Sequence, residues 1–250
     1  MSIKGIYIGC AGWNIPKAHA AHFPRQGSHL ERYAALFPAV EINSSFYRPH
    51  RPKTYTRWAA SVPEGFRFAV KVPRQVTHTS RLADLEHLER FLVEANALGE
   101  KLGPLLVQLP PSLVFNPHTV EAFLSGLRQR FAGQVACEPR HPTWFEPEVD
   151  RLLAGFQVAR VAADPAPHLL ADQPAGWDGL FYYRLHGSPQ MYYSAYSEES
   201  LQAIAGRLQR SAEKAPTWCI LDNTAEGAAT LNALHLLRIL NINPGHNKAS

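Results

Sequence analysis

The sequence predicts a single (β/α)8 barrel of the TIM type. Three observations carry this reading. Eight short apolar runs with strand character recur along the 250 residues, most of them are followed by a segment with helical spacing, and no linker or shift of composition divides the chain. Residues 1–250 are therefore read as one domain, and the 46% apolar share suffices for one continuous core. A doubly wound open sheet is the alternative, because both architectures bury near-continuous apolar parallel strands.

The elements follow in order. Residues 6–9 read as a short strand, and a loop rich in Gly, Pro and His leads to a helix over 29–37. A strand over 40–43 precedes a helix over 53–61, placed by Pro52, a residue favoured at helix starts. In 66–72, Phe68, Val70 and Val72 alternate with Arg67, Ala69 and Lys71, the two-residue period of a strand. Over 84–98, Leu85, Leu88, Leu92, Ala95 and Leu98 recur at spacings of three and four, which defines an amphipathic helix. Strand 105–109 closes at Pro110 and Pro111, and helix 117–130, strand 135–138, helix 145–153 and strand 158–163 follow. Residues 164–179 are Pro-rich, so the sixth helix is weak or replaced by an irregular segment. Strands 180–185 and 217–221, with helices over 198–214 and 225–240, complete the count.

Charge and cysteine content narrow the function classes. A net charge of +4 and a pI near 9.0 permit contact with anions without demanding nucleic acid, and no run of like charges reads as a basic arm. Cys10, Cys137 and Cys219 are too few and too scattered for a disulfide framework, and each reads as a buried thiol. Residues 1–5 lack the apolar stretch of a signal peptide, and no run approaches the ~20 residues that span a bilayer. A cytoplasmic protein is expected, of open oligomeric state. No G-x-G-x-x-G follows a strand, and neither G-x-x-x-x-G-K-[ST] nor G-x-S-x-G occurs, so dinucleotide, P-loop and serine-hydrolase readings lose support.

The informative residues stand where strands end. A buried strand that ends in a charged group needs partners for it or a wet pocket, and in a barrel such ends form the functional face. Residues two apart on a strand share a side. Glu41 with Asn43, Glu138 with Arg140, and Arg184 with His186 therefore point together, while Ile42 and Leu185 between them are apolar. Lys71, Asp164 and Asp222 end three further strands.

Several short stretches of the chain resemble those of a known family. Residues 8–13 (IGCAGW), 41–47 (EINSSFY), 68–73 (FAVKVP), 108–111 (QLPP), 138–141 (EPRH) with Trp144, 184–187 (RLHG) and Asp222-Asn223 are similar to the YecE-like family, domain of unknown function 72. The resemblance runs from about Ile6 to Leu240 in unchanged order and implies a TIM barrel; it implies no activity. The last strand departs from the family's habit of an aromatic and two asparagines, with Leu221-Asp222-Asn223-Thr224 instead.

The residues themselves support an enzyme acting on an anionic substrate. A phosphate or carboxylate is expected between Lys71, Arg140 and Arg184, because guanidinium groups match such anions in two-point contact. Glu41 or Glu138 is the candidate general base, with His186 as acid partner. As a structural group, Glu41 would pair instead with a neighbouring base such as Lys71. Asn43, Tyr47, His141, Asp164, Asp222 and Asn223 complete the substrate-contacting set. Asp164, Asp222, Asn43, Ser44 and Ser45 have helix or turn capping as their structural alternative. Trp13 and Trp144 are candidate aromatic walls, and His19, His22 and His78 lie in loops above the same face. Phosphoester hydrolysis is the most natural reaction for such a set, although the sequence does not single it out.

Glu41, Glu138, His141, Asp164, His186 and Asp222 are ligand types for a divalent metal, but no H-E-x-x-H occurs and the basic residues among them oppose a cation. No residues are singled out as metal ligands, and the cofactor stays open, with a divalent metal as the one candidate. Two rival functions stand beside the enzyme: a nucleic-acid-binding protein with fold-level similarity to abasic-site endonucleases, and a non-catalytic small-molecule binding module.

Overall fold

Residues 5–242 are described by a computed structural model, in which eight parallel strand positions close into a barrel. The first five are β1 (Ile6–Cys10), β2 (Ala39–Ile42), β3 (Arg67–Lys71), β4 (Leu102–Gln108) and β5 (Val135–Glu138). The sixth consists of two pieces, β6 (Val158–Arg160) and β7 (Ala162–Asp164). A two-residue strand, β8 (Ala175–Gly176), runs antiparallel to β6, and β9 (Phe181–Leu185) and β10 (Thr217–Leu221) are the seventh and eighth positions.

Pairing runs β2-β3-β4-β5-β6 on one side and β7-β9-β10-β1 on the other. The two halves join at a parallel bridge between Ala11 and Glu41, and at the sixth position through the chain itself. There Val161 still donates to the carbonyl of Cys137 at 2.8 Å.

The helices are α1 (His29–Ala34), α2 (Pro52–Ala60), α3 (Leu85–Ala95), α4 (Pro117–Arg130), α5 (Pro147–Gly155), α6 (Glu198–Ala212) and α7 (Ala228–Ile239). As the sequence predicts, no helix lies between β7 and β9; turns and β8 fill the interval. Boundaries move where local chemistry decides them. Helix α1 stops before Pro38, which disfavours helical geometry in its predecessor. Helix α5 starts late because Pro147 takes its first turn. Helix α3 gives way to a 3-10 turn (Asn96–Lys101) broken at Gly99, which adopts φ 59° and ψ −136°. The expected strand 40–43 ends at Ile42, since Asn43 has helical angles (φ −80°, ψ −21°) and opens a 3-10 turn, Ser44–Phe46. Among the described residues no helix is long and apolar enough to cross a membrane. The leader-free reading of residues 1–4 lies outside the described residues.

Two apolar layers follow from the strand period. Outward residues such as Ile8, Val40, Phe68, Val70 and Val135 pack under the helices. Inward residues form a separate cluster of Ala39, Ala69, Leu106, Ala136, Ala159, Tyr182, Trp218 and Ile220. Four alanines on neighbouring strands leave room for the large rings: Tyr182 and Trp218 stack with centroids 6.1 Å apart, and Tyr7 stacks on Trp218 at 4.8 Å. Gly9 is required where β1 meets β2, because a Cβ there would lie 2.1 Å from the carbonyl oxygen of Ala39.

Candidate active site

One pleat above that inward cluster the side chains become ionic. The inward residue after Ala39 is Glu41, after Ala69 Lys71, after Ala136 Glu138, after Tyr182 Arg184, and after Ile220 Asp222. Five strands thus deliver five ionisable groups to one layer at the carboxyl end of the barrel. All five are buried.

Arg184 is the hub of this layer. Its Nε and Nη2 donate to Glu41 Oε2 (3.1 Å) and Oε1 (2.8 Å), its Nη1 to Glu138 Oε2 (2.7 Å), and Nη2 also to Asp222 Oδ2 (3.1 Å). The Tyr182 hydroxyl donates to Glu41 Oε2 at 2.9 Å. Isolated, any of these charges would be prohibitively costly to bury; packed as a hydrogen-bonded set they compensate one another.

His186 lies against the hub. Its Nδ1 is 3.0 Å from Asp222 Oδ2, and its Nε2 is 3.0 Å from Glu138 Oε1. Both ring nitrogens face carboxylates, so the ring is best satisfied as an imidazolium with two N–H donors. Arg140 Nη2 donates to the same Glu138 oxygen at 2.9 Å. Its 3.3 Å approach to His186 Nε2 is that of two donors converging on one acceptor.

The titration shifts agree with this geometry. Burial alone would raise Glu138 and Asp222, but the Arg184 guanidinium and His186 hold both carboxyls below their ordinary range. Burial disfavours the His186 cation, yet Glu138 and Asp222 together raise it above its ordinary 6.5. Arg184 is likewise raised by its three carboxylates against the cost of burial.

Lys71 behaves differently. Burial, and then the neighbouring Arg184 cation, push its amine down to about 8. Its Nζ rests 4.1 Å above the centroid of the Phe46 ring, and it makes no ion pair among the described residues. The expectation that Lys71 pairs with Glu41 is therefore corrected: Arg184, which offers two parallel donors, takes both oxygens of that carboxylate.

Beside Lys71 a π-helical turn (Gln75–Thr79), absent from the sequence reading, carries His78. The ring of His78 meets Phe46 edge-on at 4.9 Å. Burial, Lys71, Arg74 and Arg140 push its pKa down to about 4, so His78 is neutral at the rim.

The structure thus brings together Glu41, Lys71, Glu138, Arg140, Arg184, His186 and Asp222, and places the other candidates elsewhere. Arg184 is fully buried beneath carboxylates, so it does not face an anion in the mouth as the sequence suggests. Glu41 has no exposure, and both its oxygens accept from Arg184, which leaves no free base there. Asn223 points outward and donates to the Ser194 carbonyl (2.9 Å) and Asn232 Oδ1 (3.0 Å), pinning the loop after β9. His141 caps a 3-10 turn by accepting from the Thr143 N–H at 3.3 Å. Asp164 contributes its backbone carbonyl, which accepts from the His186 N–H (2.6 Å) and the Tyr196 hydroxyl (3.1 Å). Asn43 has left the strand; its Oδ1 is buried without a partner. Tyr47 is 73% exposed beside Phe46, and Trp144 is a core residue donating to the Leu113 carbonyl at 2.8 Å.

The sequence reading missed Tyr182 and Phe46. Tyr182 carried a usable signal, since it stands two residues before Arg184 on the same inward side. Phe46 carried none, because its place beneath Lys71 depends on the turn after β2. The three cysteines are free and buried, and burial pushes the Cys10 thiol up to about 12. Among the described residues no group of three or more His, Cys, Asp or Glu is placed to hold a metal ion.

Comparison with known proteins fits this architecture. A family model described as "Protein of unknown function DUF72" matches residues 7–249. UPF0759 protein YecE of Escherichia coli (strain K12) is 33% identical over 172 residues, 65% of this chain and 60% of that protein. UPF0759 protein YunF of Bacillus subtilis (strain 168) is 27% identical over 186 residues, 70% of this chain and 63% of that protein. The chain therefore aligns with less than two thirds of the length of these curated relatives. Among solved structures, a DUF72 family protein from Thermotoga maritima superposes with a TM-score of 0.79 at 24% identity, covering 95% of this chain and 99% of that one. The 3-keto-D-glucoside 4-epimerase YcjR of E. coli superposes with a TM-score of 0.50 at 12% identity, covering 95% and 99%; that likeness concerns the fold. The chain belongs to the DUF72 family.

Proposed function

We propose that this DUF72 family member is an enzyme acting on a small anionic substrate at the carboxyl end of its barrel. The charge balance of the ionic layer carries the reading. Glu41, Glu138 and Asp222 are matched by Arg184, Arg140 and the imidazolium of His186, all in direct contact. Lys71 is a surplus cation, Arg74 beside His78 is a second, and Arg140, although paired with Glu138, is 17% exposed at the rim. A surplus of positive charge at a partly dry mouth favours a phosphate or carboxylate.

In this reading Arg140, Arg74 and Lys71 hold the anionic group, and His186 moves a proton, oriented by Glu138 and Asp222. Asp222, whose side chain is 9% exposed, is the carboxylate of the layer nearest to solvent and replaces Glu41 as the base that reaches substrate. Phosphoester hydrolysis is one chemistry such a site supports. The test is calorimetric titration with inorganic phosphate and sugar phosphates, together with a turnover screen on phosphate esters. Arg140→Ala should weaken anion binding about tenfold or more, a loss of at least ~1.4 kcal/mol. Unchanged affinity in that variant defeats the reading, and affinity without turnover in a broad screen favours the non-catalytic module.

A second reading rests on an adjoining groove of about 410 Å³ that shares Arg74 with the mouth and is lined also by Tyr47, Arg48 and Arg90, with Glu94 as its carboxylate. Cations interleaved with an exposed aromatic suit a nucleic-acid strand. Retention of a short oligonucleotide that falls steeply with salt supports it; no retention at low salt removes it.

A further inference from the structure

We infer that Lys71 is an amine nucleophile, and that the substrate carries, besides its anionic group, an aldehyde or ketone carbonyl that Lys71 captures as an imine. The inference rests on the anion site proposed above and narrows its ligand to carbonyl-bearing anions, such as α-oxo acids or open-chain sugar phosphates. It places the chemistry at a carbonyl carbon instead of a phosphoester.

The geometry that points this way is the isolation of one amine within a layer of ions. Three carboxylates share the layer with Lys71, yet each is engaged by Arg184, Arg140 or His186 and none pairs with it. Among the described residues the side-chain polar atoms both sealed from solvent and unpartnered are Asn43 Oδ1, Tyr55 Oη, Trp218 Nε1 and Asn223 Oδ1. Lys71 Nζ is unpartnered but not sealed, although the residue is only 5% exposed. The amine therefore stands free at the mouth, on the apolar face of Phe46.

Desolvation and a neighbouring cation are the two usual means of activating a lysine. Both operate here, through burial and Arg184, and lower the amine to about 8. At pH 7.5 roughly a quarter of such a lysine is neutral, against about one part in a thousand for an ordinary one. A lysine serving only as a counter-ion would be drawn onto a carboxylate and raised.

The step balances without a further reactant. The lone pair of neutral Nζ attacks the carbonyl carbon; a C–N bond forms while the C=O π electrons move to oxygen, which takes a proton. The resulting carbinolamine loses its N–H proton, its hydroxyl accepts one and departs as water, and the C=N bond closes. The proton comes from His186 by way of Asp222, whose Oδ2 accepts from Nδ1 at 3.0 Å and whose side chain, unlike the sealed imidazole, reaches the mouth. Arg140 and Arg74 keep the anionic end at the rim.

The test is reductive trapping on the full chain. The protein is incubated with pyridoxal 5′-phosphate, pyruvate or glyceraldehyde 3-phosphate at pH 7.5, reduced with cyanoborohydride, digested and mapped by mass spectrometry. The expected result is a reduced adduct on Lys71, favoured about tenfold or more over the exposed Lys17, Lys53 and Lys214. Its rate should rise with pH through a midpoint near 8. No adduct on Lys71, or labelling spread evenly over the exposed lysines, overturns the inference. Inorganic phosphate, titrated in parallel, separates the two proposals. Phosphate binding without a Lys71 adduct leaves the anion site standing and removes the imine. A Lys71 adduct that phosphate does not slow keeps the imine and removes the anion site. Absence of both effects removes both.

Discussion

Arg184 grips Glu41 through two parallel hydrogen bonds, 3.1 Å from Nε and 2.8 Å from Nη2, across 143 residues of sequence. The same guanidinium reaches Glu138 at 2.7 Å and Asp222 at 3.1 Å, so it ties β2, β5 and β10 to β9. A single cation inside the barrel thus contacts carboxylates from three other strands, and Arg140 and His186 complete their charge balance. Arg184→Ala leaves those charges buried without compensation, a loss of about 3–5 kcal/mol where one partner of a buried pair is removed. We expect a large drop in the urea midpoint, or failure to fold. Arg184→Lys should fall between the two, because an ammonium lacks the planar fork. A wild-type midpoint in Arg184→Ala would show that the hub is not structural.

Tyr182 tests the same hub more gently. Its hydroxyl donates to Glu41 Oε2 at 2.9 Å while its ring stacks above Trp218. Tyr182→Phe keeps the ring and removes a hydrogen bond to a charged acceptor, worth about 1.5–3 kcal/mol. Thermal unfolding should report a loss of that order with the fold retained. No loss would mean that Arg184 alone satisfies Glu41.

How far the sequence reveals this site depends on distance along the chain. The inward pairs Glu138/Arg140 and Arg184/His186 are legible because a strand's two-residue period is local. The barrel is legible because eight strand patterns recur, seven of them followed by a helical pattern, and the missing sixth helix because residues 164–179 lack helical spacing. Partner choice is not legible. Nothing in the spacing distinguishes Lys71 from Arg184 as the partner of Glu41; that follows from which inward side chains meet across the barrel. Asn43 leaves the shared layer because the turn Ser44–Phe46 begins at it, whereas Asn223, one residue after the inward Asp222, faces outward by the two-residue period itself. The place of His78 depends on a π-helical turn, which no sequence period announces.

Lys71 sets stability against function. Its folded pKa of about 8, against an ordinary 10.5, means that the folded protein carries a protonated amine at a cost of about 3 kcal/mol below pH 8. Lys71→Met removes that cost while keeping a linear side chain on Phe46. We expect stabilisation of about 1–3 kcal/mol at pH 7 and a melting temperature a few degrees higher, together with loss of adduct formation and weaker anion binding. Destabilisation instead would identify Lys71 as a counter-ion that the carboxylates need.

The pH profile of stability follows from the directions of four shifts. Glu138 and Asp222 are lowered in the folded state, so their contribution is complete above their unfolded values of about 4.3 and 3.9, and is lost as pH falls through the folded ones. His186 is raised, so its contribution is complete below about 6.5 and is lost as pH climbs through its folded value. Lys71 is lowered, so its penalty persists below about 8 and disappears as pH rises toward 10.5. Unfolding free energy should therefore fall steeply in acid and decline above about pH 6.5 as His186 deprotonates, with a counter-rise beyond pH 8. His186→Gln should abolish the decline and make the acid limb shallower without removing it, because Arg184 still lowers both carboxyls, and Lys71→Met should abolish the alkaline rise. Histidine NMR provides the direct check: the His186 ring is expected to titrate above 6.5 in wild type, and markedly lower once Glu138→Gln removes its principal carboxylate. A His186 midpoint at or below 6.5 in wild type would mean that the ring is neutral, and that the carboxylates on either side are not both charged.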